Sequence, residues 1–192
     1  MRQRLGLVRP YVLCLATNKP HKNLAGLVAG WARCSPGARK DTELVFAGRH
    51  DAAFPETREA IAEYGVFDTV RLLGPVPDAL LPALMSGATA FCFPSLYEGF
   101  GLPVLEAMAC GTPVAASNRS SLPEVVGDAG LLFDPADHEA IGVALSRLIS
   151  DDKLRQRLAR AGLARAHEFS WERTAQATLE GYRSVLARRS VC

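Results

Sequence analysis

Two glutamates, Glu98 and Glu106, flank a short glycine-containing turn in an otherwise apolar part of the 192-residue sequence. The turn itself is Gly99-Phe100-Gly101. Glycines let a backbone approach a ligand closely and adopt a positive φ angle, and free N–H groups at the start of a helix bind anions. A carboxylate accepts two hydrogen bonds and therefore suits a pair of neighbouring hydroxyls. The pattern favours a site for a ligand that carries both phosphate and hydroxyl groups.

Two other interpretations of these acids stay open. A glutamate in the first turn of a helix is stabilised by the helix dipole alone, by about 0.3–1 kcal/mol, so each residue could be an ordinary surface acid. The pair could also supply the general acid and base of a hydrolase. That chemistry needs one glutamate with a raised pKa in an apolar pocket, and the glycine-rich turn between the acids favours the phosphate-bearing ligand instead.

The elements that must position this loop are short apolar runs alternating with helical patterns. We predict strands at 11–17, 43–48, 69–74, 88–95, 112–117 and 129–134. We predict helices at 22–34, 54–64, 77–87, 137–150, 151–167 and 170–188, the last capped by Ser170, and one more with Pro103 in its first turn. Strands that are apolar throughout are buried on both faces. The alternation predicts an α/β fold, a Rossmann-like doubly wound parallel sheet of about six strands with helices on both faces.

In a sheet of this kind ligands bind beyond the carboxyl ends of the strands. The loops that leave the predicted strands there are 17–22, 48–53, 74–77, 94–102 and 117–121. The loop with the two glutamates is one of them, so its position in the fold agrees with its chemistry.

The composition limits the remaining possibilities. A chain of this length forms one domain of ordinary size, and its net charge of +2 is too small to indicate nucleic acid as a partner. No apolar run approaches the roughly 20 residues of a membrane helix. The odd number of cysteines without a CxxC pair favours a reduced, cytoplasmic setting and argues against a metal site or disulfides. They are Cys14, Cys34, Cys92, Cys110 and Cys192.

The residues around the turn resemble a known family. The stretches FCFPSLYEGFGLPVLEAMACGTPVAAS and LPEVVGDAGLLFDPAD are similar to the donor-binding region of retaining GT-B glycosyltransferases, group 1 (family 4). The E-x7-E motif of that family corresponds to Glu98 and Glu106, and the resemblance covers nearly the whole chain. It implies the C-terminal half of a GT-B fold. Residues 1–192 would be a single nucleotide-sugar-binding domain, with the N-terminal acceptor domain absent.

The resemblance also implies a role for individual residues. Glu106 would bind the ribose hydroxyls of the nucleotide, and Glu98 the hydroxyls of the transferred sugar. Lys22 would contact the diphosphate, which makes Glu98 and Lys22 the candidate catalytic residues. Otherwise Lys22 is a surface lysine at a helix N-terminus, a poor place for a cation. The backbone groups expected at the diphosphate or the sugar belong to Gly99, Phe100, Gly101 and Leu102.

Two further positions carry expectations from the same resemblance. Val76 matches a position near the nucleobase, although it could equally be ordinary core. Thr17 occupies a place where many members have an arginine, and a branch with Thr there is often mannosyltransferase-like. Thr17 supplies no positive charge, for which Arg49 or His21 would compensate.

The activity implied is that of a hexosyltransferase. It would take a nucleotide-diphosphate sugar, with a GDP-mannose-like donor favoured and a UDP sugar possible, and transfer the hexose to a glycan or lipid-linked acceptor in polysaccharide or lipopolysaccharide synthesis. No cofactor or metal is expected. The partner would be the absent N-terminal domain or a separate acceptor-domain chain, in the cytoplasm, with peripheral contact to the inner face of the membrane as an option. The alternatives are a non-catalytic nucleotide-sugar-binding or interaction module and a GT-B-type nucleotide-sugar epimerase.

Overall fold

A computed structural model describes residues 5–189, in which six short strands form one parallel sheet. The strand order is β3-β2-β1-β4-β5-β6, so the chain winds outward from β1 in both directions. All six predicted strands are present, each end lying at most two residues inside the predicted bound. Their bounds are Tyr11–Leu15 (β1), Glu43–Ala47 (β2), Val70–Gly74 (β3), Ala90–Phe93 (β4), Val114–Ser117 (β5) and Gly130–Phe133 (β6).

The helices are Leu24–Ala32 (α1), Pro36–Lys40 (α2), Glu56–Glu63 (α3), Leu81–Ser86 (α4), Leu102–Ala109 (α5), Leu122–Val126 (α6), His138–Ser150 (α7), Asp152–Ala166 (α8) and Trp171–Arg189 (α9). Two 3-10 turns, Pro20–Lys22 and Asp78–Leu80, precede α1 and α4. The sequence did not predict α2 and α6, because five residues are too few to show a helical period. The predicted helix 22–34 begins only at Leu24, since Asn23 has a left-handed backbone with φ 53°.

The core has one apolar layer on each face of the sheet. Along β1, Val12 and Cys14 face the layer formed with α1, α3 and α7, whereas Tyr11 and Leu13 face the layer formed with α4, α5 and α6. All four residues are completely buried. A strand buried on both faces has no polar side, which is why the runs are apolar throughout. The predicted doubly wound sheet with helices on both faces is confirmed.

The last helix differs from the others because its described side chains, from 171 to 186, are all exposed. It begins where predicted: the Arg173 N–H donates to the Ser170 hydroxyl at 3.2 Å, so Ser170 is the N-cap. Trp171 and Tyr182 are 76% and 67% exposed.

Three of the cysteines behave as small hydrophobic residues. Cys14, Cys34 and Cys92 are free and buried, and burial raises the pKa of the Cys14 thiol to about 12. Cys192 lies outside the described residues. Between residues 5 and 189, no helix combines the length and the apolar character that crossing a membrane requires.

Candidate functional site

An ion pair joins the two candidate catalytic residues. Lys22 follows β1 and Glu98 follows β4, and these two strands are neighbours in the sheet. The Lys22 ammonium donates to Glu98 Oε1 at 2.6 Å, with side chains only 18% and 12% exposed. It also lies 5.4 Å from the centre of the Phe93 ring, which adds a cation–π contact. The structure thus assembles a shielded cation and carboxylate at the edge of the sheet where ligands are expected.

The environment of Lys22 bears on one of the alternatives from the sequence. Lys22 closes the 3-10 turn before α1, but its side chain is only 18% exposed and is paired with Glu98, which does not favour an ordinary solvated surface lysine. A charge so shielded from water is strongly destabilising without a partner. Glu98 supplies that partner from 76 residues away in sequence.

Asn23 fixes the loops around this pair, a role that sequence reasoning missed. Its side-chain amide donates to the Pro135 carbonyl at 2.9 Å and to the Pro94 carbonyl at 3.3 Å. The Leu96 N–H donates to the His21 carbonyl at 2.8 Å. The loops after β1, β4 and β6 are thereby joined. An asparagine before a helix normally predicts an N-cap, but the Asn23 side chain makes no cap hydrogen bond.

The backbone of the Glu98 segment is held by two serines of the loop after β5. The Ser120 hydroxyl donates to the Glu98 carbonyl at 2.5 Å. The Ser121 hydroxyl lies within hydrogen-bond distance of the Glu98 carbonyl, at 3.0 Å, and of the Phe100 carbonyl, at 2.9 Å. The loop was among those predicted to face a ligand, but serines in a loop carry no signal that identifies their partners. They fix the direction of the chain on its way into α5.

Gly101 is the residue that this turn requires. It is the N-cap of α5 with φ 104°, and an added Cβ would lie 2.6 Å from Leu122 Cδ2. A Cβ at Gly99 would meet nothing within 4 Å. Gly101 has no side chain with which to cap α5, so no side-chain cap satisfies the N–H group of Leu102. Pro103 has no N–H group, and the Val104 N–H donates to the Gly101 carbonyl at 2.9 Å.

Glu106 lies one turn into α5, as the sequence predicted, and is exposed. Partial burial, and then the nearby carboxylate of Asp78, raise the pKa of Glu106 above its ordinary value. Asp78 was not recognised as a neighbour from the sequence. The hydrolase pair is not supported, because Glu106 is exposed and Glu98 is paired with Lys22.

Thr17 and Val76 lie at the same edge of the sheet but make no described contact with the Lys22–Glu98 pair. Thr17 is half-buried, two residues beyond β1. Val76 is half-buried beyond β3 and packs against the core layer of α4, α5 and α6. Among the contacts described for residues 5–189, none joins either residue to the Lys22–Glu98 pair. Arg49 and His21 are exposed.

The loop after β2 is fixed by Asn18, which is 7% exposed. Its amide donates to the carbonyls of Asp51 at 2.8 Å and Phe54 at 2.7 Å, and its oxygen accepts from the Asp51 N–H at 2.7 Å. His50 lies in this loop, and burial together with Arg58 lowers the pKa of its imidazole. The lowered pKa favours the neutral form of this histidine, another feature that the sequence did not show.

Two open depressions lie elsewhere on the surface, with volumes of about 520 and 340 Å³. Neither contains the glycine turn or its two glutamates. Carboxylates contribute much of both linings and would repel a diphosphate. The lining acids are Asp134, Asp137 and Glu139 in the first depression and Glu56, Glu59 and Glu63 in the second.

Comparison with known sequences identifies a family and several relatives of this chain. Residues 2–165 match the profile of the family described as Glycosyl transferases group 1. O-antigen chain mannosyltransferase B of Escherichia coli is 41% identical over 174 residues, covering 90% of this chain and 45% of that protein. MMP alpha-(1->4)-mannosyltransferase of Mycolicibacterium hassiacum is 38% identical over 194 residues, covering 98% and 46%. The chain spans about half the length of these curated relatives.

Solved structures show the same fold. Anabaena HepE in complex with UDP and glucose superposes with a TM-score of 0.83 at 25% identity, covering 95% of this chain and 51% of that one. Sucrose-phosphate synthase from Thermosynechococcus elongatus superposes with a TM-score of 0.80 at 31% identity, covering 97% and 48%.

Proposed function

Because the chain belongs to the glycosyl transferases group 1 family, as its sequence indicated, we propose that it binds a nucleotide-diphosphate sugar as the donor half of a retaining hexosyltransferase. The observation that carries the proposal is the contact between Lys22 and Glu98 beside α5, whose first turn has no side-chain cap. A cation, a carboxylate and free amides at one edge match the charges of such a donor.

The charge of each group in the site determines the role that we propose for it. Lys22 and the N–H groups of Phe100, Gly101 and Leu102 stabilise the negative charge that develops on the leaving diphosphate. Glu98 accepts hydrogen bonds from the hydroxyls of the sugar. In transfer, the bond between the anomeric carbon and the diphosphate oxygen breaks while the oxygen of an acceptor hydroxyl bonds to the same face of that carbon, and the hydroxyl proton passes to the leaving diphosphate. The nucleoside diphosphate leaves, and this chemistry needs no metal.

The Lys22–Glu98 contact adds a constraint to this mechanism. In the structure the ammonium donates to the carboxylate. An ammonium has three N–H donors, so a bound diphosphate can accept from one of them while another stays on Glu98. Lys22 can therefore contact Glu98 and the diphosphate together, which orients the sugar-binding carboxylate relative to the leaving group.

Glu106 is the proposed ribose ligand. Its exposed carboxylate accepts two hydrogen bonds, as a ribose diol requires, and α5 places it one turn beyond the proposed diphosphate amides. Gly99 provides an open approach to the turn. Val76 and Thr17 complete the proposed site toward the nucleobase and the diphosphate, respectively.

A GDP-mannose-like donor is favoured because both relatives named above are mannosyltransferases by name. UDP sugars are the alternative, since HepE was crystallised with UDP and glucose. The acceptor site is proposed to lie in the other half of a GT-B enzyme, either in the same polypeptide or in a separate chain. We place the protein in the cytoplasm, at the inner face of the membrane if the acceptor is a lipid-linked glycan.

The test is binding of nucleoside diphosphates. We expect one of UDP, GDP, ADP and dTDP to raise the melting temperature, and Glu106→Ala to abolish that shift. Glu124→Ala, which removes another exposed helical glutamate, is the matched control and should preserve it. No shift and no heat of binding with any of the four nucleotides would refute the proposal.

A non-catalytic interaction module is the second candidate. Thr17 favours it, because this position supplies no positive charge to a diphosphate. Recovery of an acceptor-domain protein in a pull-down, without sugar transfer by the reconstituted pair, supports the module. Transfer of sugar by the pair rules it out.

A further inference from the structure

An aromatic contact connects the glycine turn to the junction between α8 and α9. The Phe169 ring meets the Phe100 ring edge to face, with centres 5.7 Å apart and planes at 81°. This geometry is the preferred one for aromatic pairs. Phe100 directly precedes Gly101, the N-cap of α5, so the contact is made at the first of the three residues whose N–H groups are proposed to bind the diphosphate.

The junction itself is anchored to α6 by Arg165. The guanidinium lies 4.8 Å from the centre of the Phe169 ring. It donates to the Val125 carbonyl at 3.2 Å and to the Glu124 carbonyl at 2.5 Å. These carbonyls belong to α6. The Phe169 ring is therefore anchored to α6 through Arg165, in addition to its contact with Phe100.

The same short helix also holds the backbone of Phe100. Ser121, directly before α6, lies with its hydroxyl 2.9 Å from the Phe100 carbonyl. The backbone of Phe100 is thus held from the start of α6, and its ring is held through Phe169 from the end of α6. Two restraints on one residue, applied to backbone and side chain, fix the orientation of the peptide groups on either side of it.

We propose that Phe169 is a positioning residue for the donor diphosphate. Its ring fixes Phe100 and thereby the N–H groups from Phe100 to Leu102. The inference rests on the proposed function, because it assumes that those amides bind a diphosphate. Phe169 needs no contact with the ligand. Its loss weakens the contacts of the diphosphate and leaves those of the ribose at Glu106 intact.

The first experiment compares Phe169→Leu with Phe169→Tyr, which keeps an aromatic ring, and with Trp171→Ala as a control on α9. GDP and guanosine are titrated into each full chain, or UDP and uridine if the uridine nucleotide is the one that binds. Losing an aromatic pair should weaken diphosphate binding about threefold to tenfold. Phe169→Leu should show this loss with nucleoside affinity within twofold, and Phe169→Tyr and Trp171→Ala should match the wild type. Equal losses for GDP and guanosine would show a merely structural role and overturn the proposal.

The second experiment removes the dependence on a ligand. In the unliganded protein, Phe169→Leu should accelerate hydrogen exchange at the amides of Val104 and Leu105, which donate to the Gly101 carbonyl, by about threefold or more, while the β1 amide of Leu13 exchanges at its wild-type rate. The double variant Phe100→Leu/Phe169→Leu should bind GDP no more weakly than Phe100→Leu alone. Unchanged exchange, or additive losses, contradicts the proposal. If the wild type binds no nucleotide, the proposed function fails, and the exchange rates still decide the role of Phe169.

Discussion

Glu98 and Glu106 are the same residue type in one loop, yet their surroundings differ. Glu98 is nearly buried and bound by the Lys22 ammonium, and the backbone around it is held by Ser120 and Ser121. Glu106 is exposed on α5, and the charge that most affects it is another carboxylate, that of Asp78. Glu98 is therefore part of the folded framework, whereas Glu106 is available to a ligand without breaking any bond. The difference predicts that the stability of the protein depends on the first glutamate and the binding of nucleotide on the second.

The largest expected effect comes from the turn that separates the two residues. Gly101→Ala should lower the free energy of unfolding by about 2–4 kcal/mol, because a positive φ and a blocked Cβ position add their costs. Gly99→Ala, with nothing within 4 Å of the added Cβ, should cost less than about 1 kcal/mol. Urea denaturation of both variants measures the difference, and equal losses would contradict it.

The next effect tests the framework role of Glu98. Lys22→Met should lower the free energy of unfolding by about 1–3 kcal/mol, since it leaves a shielded carboxylate without its partner. Adding Glu98→Gln should recover at least half of that loss, because no unpaired charge remains. A double-mutant cycle by urea denaturation gives the coupling. Additive losses would mean that the contact contributes little.

Unlike Lys22→Met, Glu106→Gln should weaken nucleotide binding and leave the stability of the protein nearly unchanged. We expect nucleotide affinity to fall by about tenfold or more, because a charge-assisted hydrogen bond contributes about 1.5–3 kcal/mol. The raised pKa means that the folded state holds its proton to higher pH than the unfolded state, so ionisation of Glu106 slightly destabilises the protein as pH rises. The variant should therefore be equally or marginally more stable at pH 7, by less than about 0.5 kcal/mol. Calorimetric titration and urea denaturation at pH 7 check both.

The smallest effect belongs to Asp78→Asn. Removing this carboxylate should lower the pKa of Glu106 toward its ordinary value. Nucleotide binding requires the ionised Glu106 carboxylate as acceptor. As the solution is acidified, the variant should therefore lose nucleotide affinity at a lower pH than the wild type does. Calorimetric titrations between pH 4 and 7 locate the midpoint. An unshifted midpoint would show that the Asp78 carboxylate does not raise the pKa of Glu106.

Most of the fold and the outline of the site followed from local sequence. Buried strands need apolar residues on both faces, so β1 and β4 were visible as continuous apolar runs. The start of α5 was visible because Gly101 and Pro103 have specific backbone requirements. Patterns of this kind depend on residues within one turn of each other.

The remaining features depend on contacts between distant segments. The partner of Lys22 is 76 residues away, and Asn23 bonds to carbonyls 71 and 112 residues away. Any residue has a carbonyl, so no sequence pattern marks the acceptor. The aromatic pair of Phe100 and Phe169 was missed for the same reason, because each residue alone predicts only an apolar contact.

The 76-residue separation of Lys22 and Glu98 also has a consequence for biosynthesis. At about 5–20 residues per second, a ribosome takes roughly 4–15 s to deliver the carboxylate after the ammonium. During most of that interval β1, β2 and β3 can pair, but β4 has not yet been synthesised and Lys22 remains hydrated. The site is completed only when Ser120 and Ser121 have also emerged. Nucleotide binding therefore cannot assist the first half of folding, and it reports a chain whose second half has already joined the sheet.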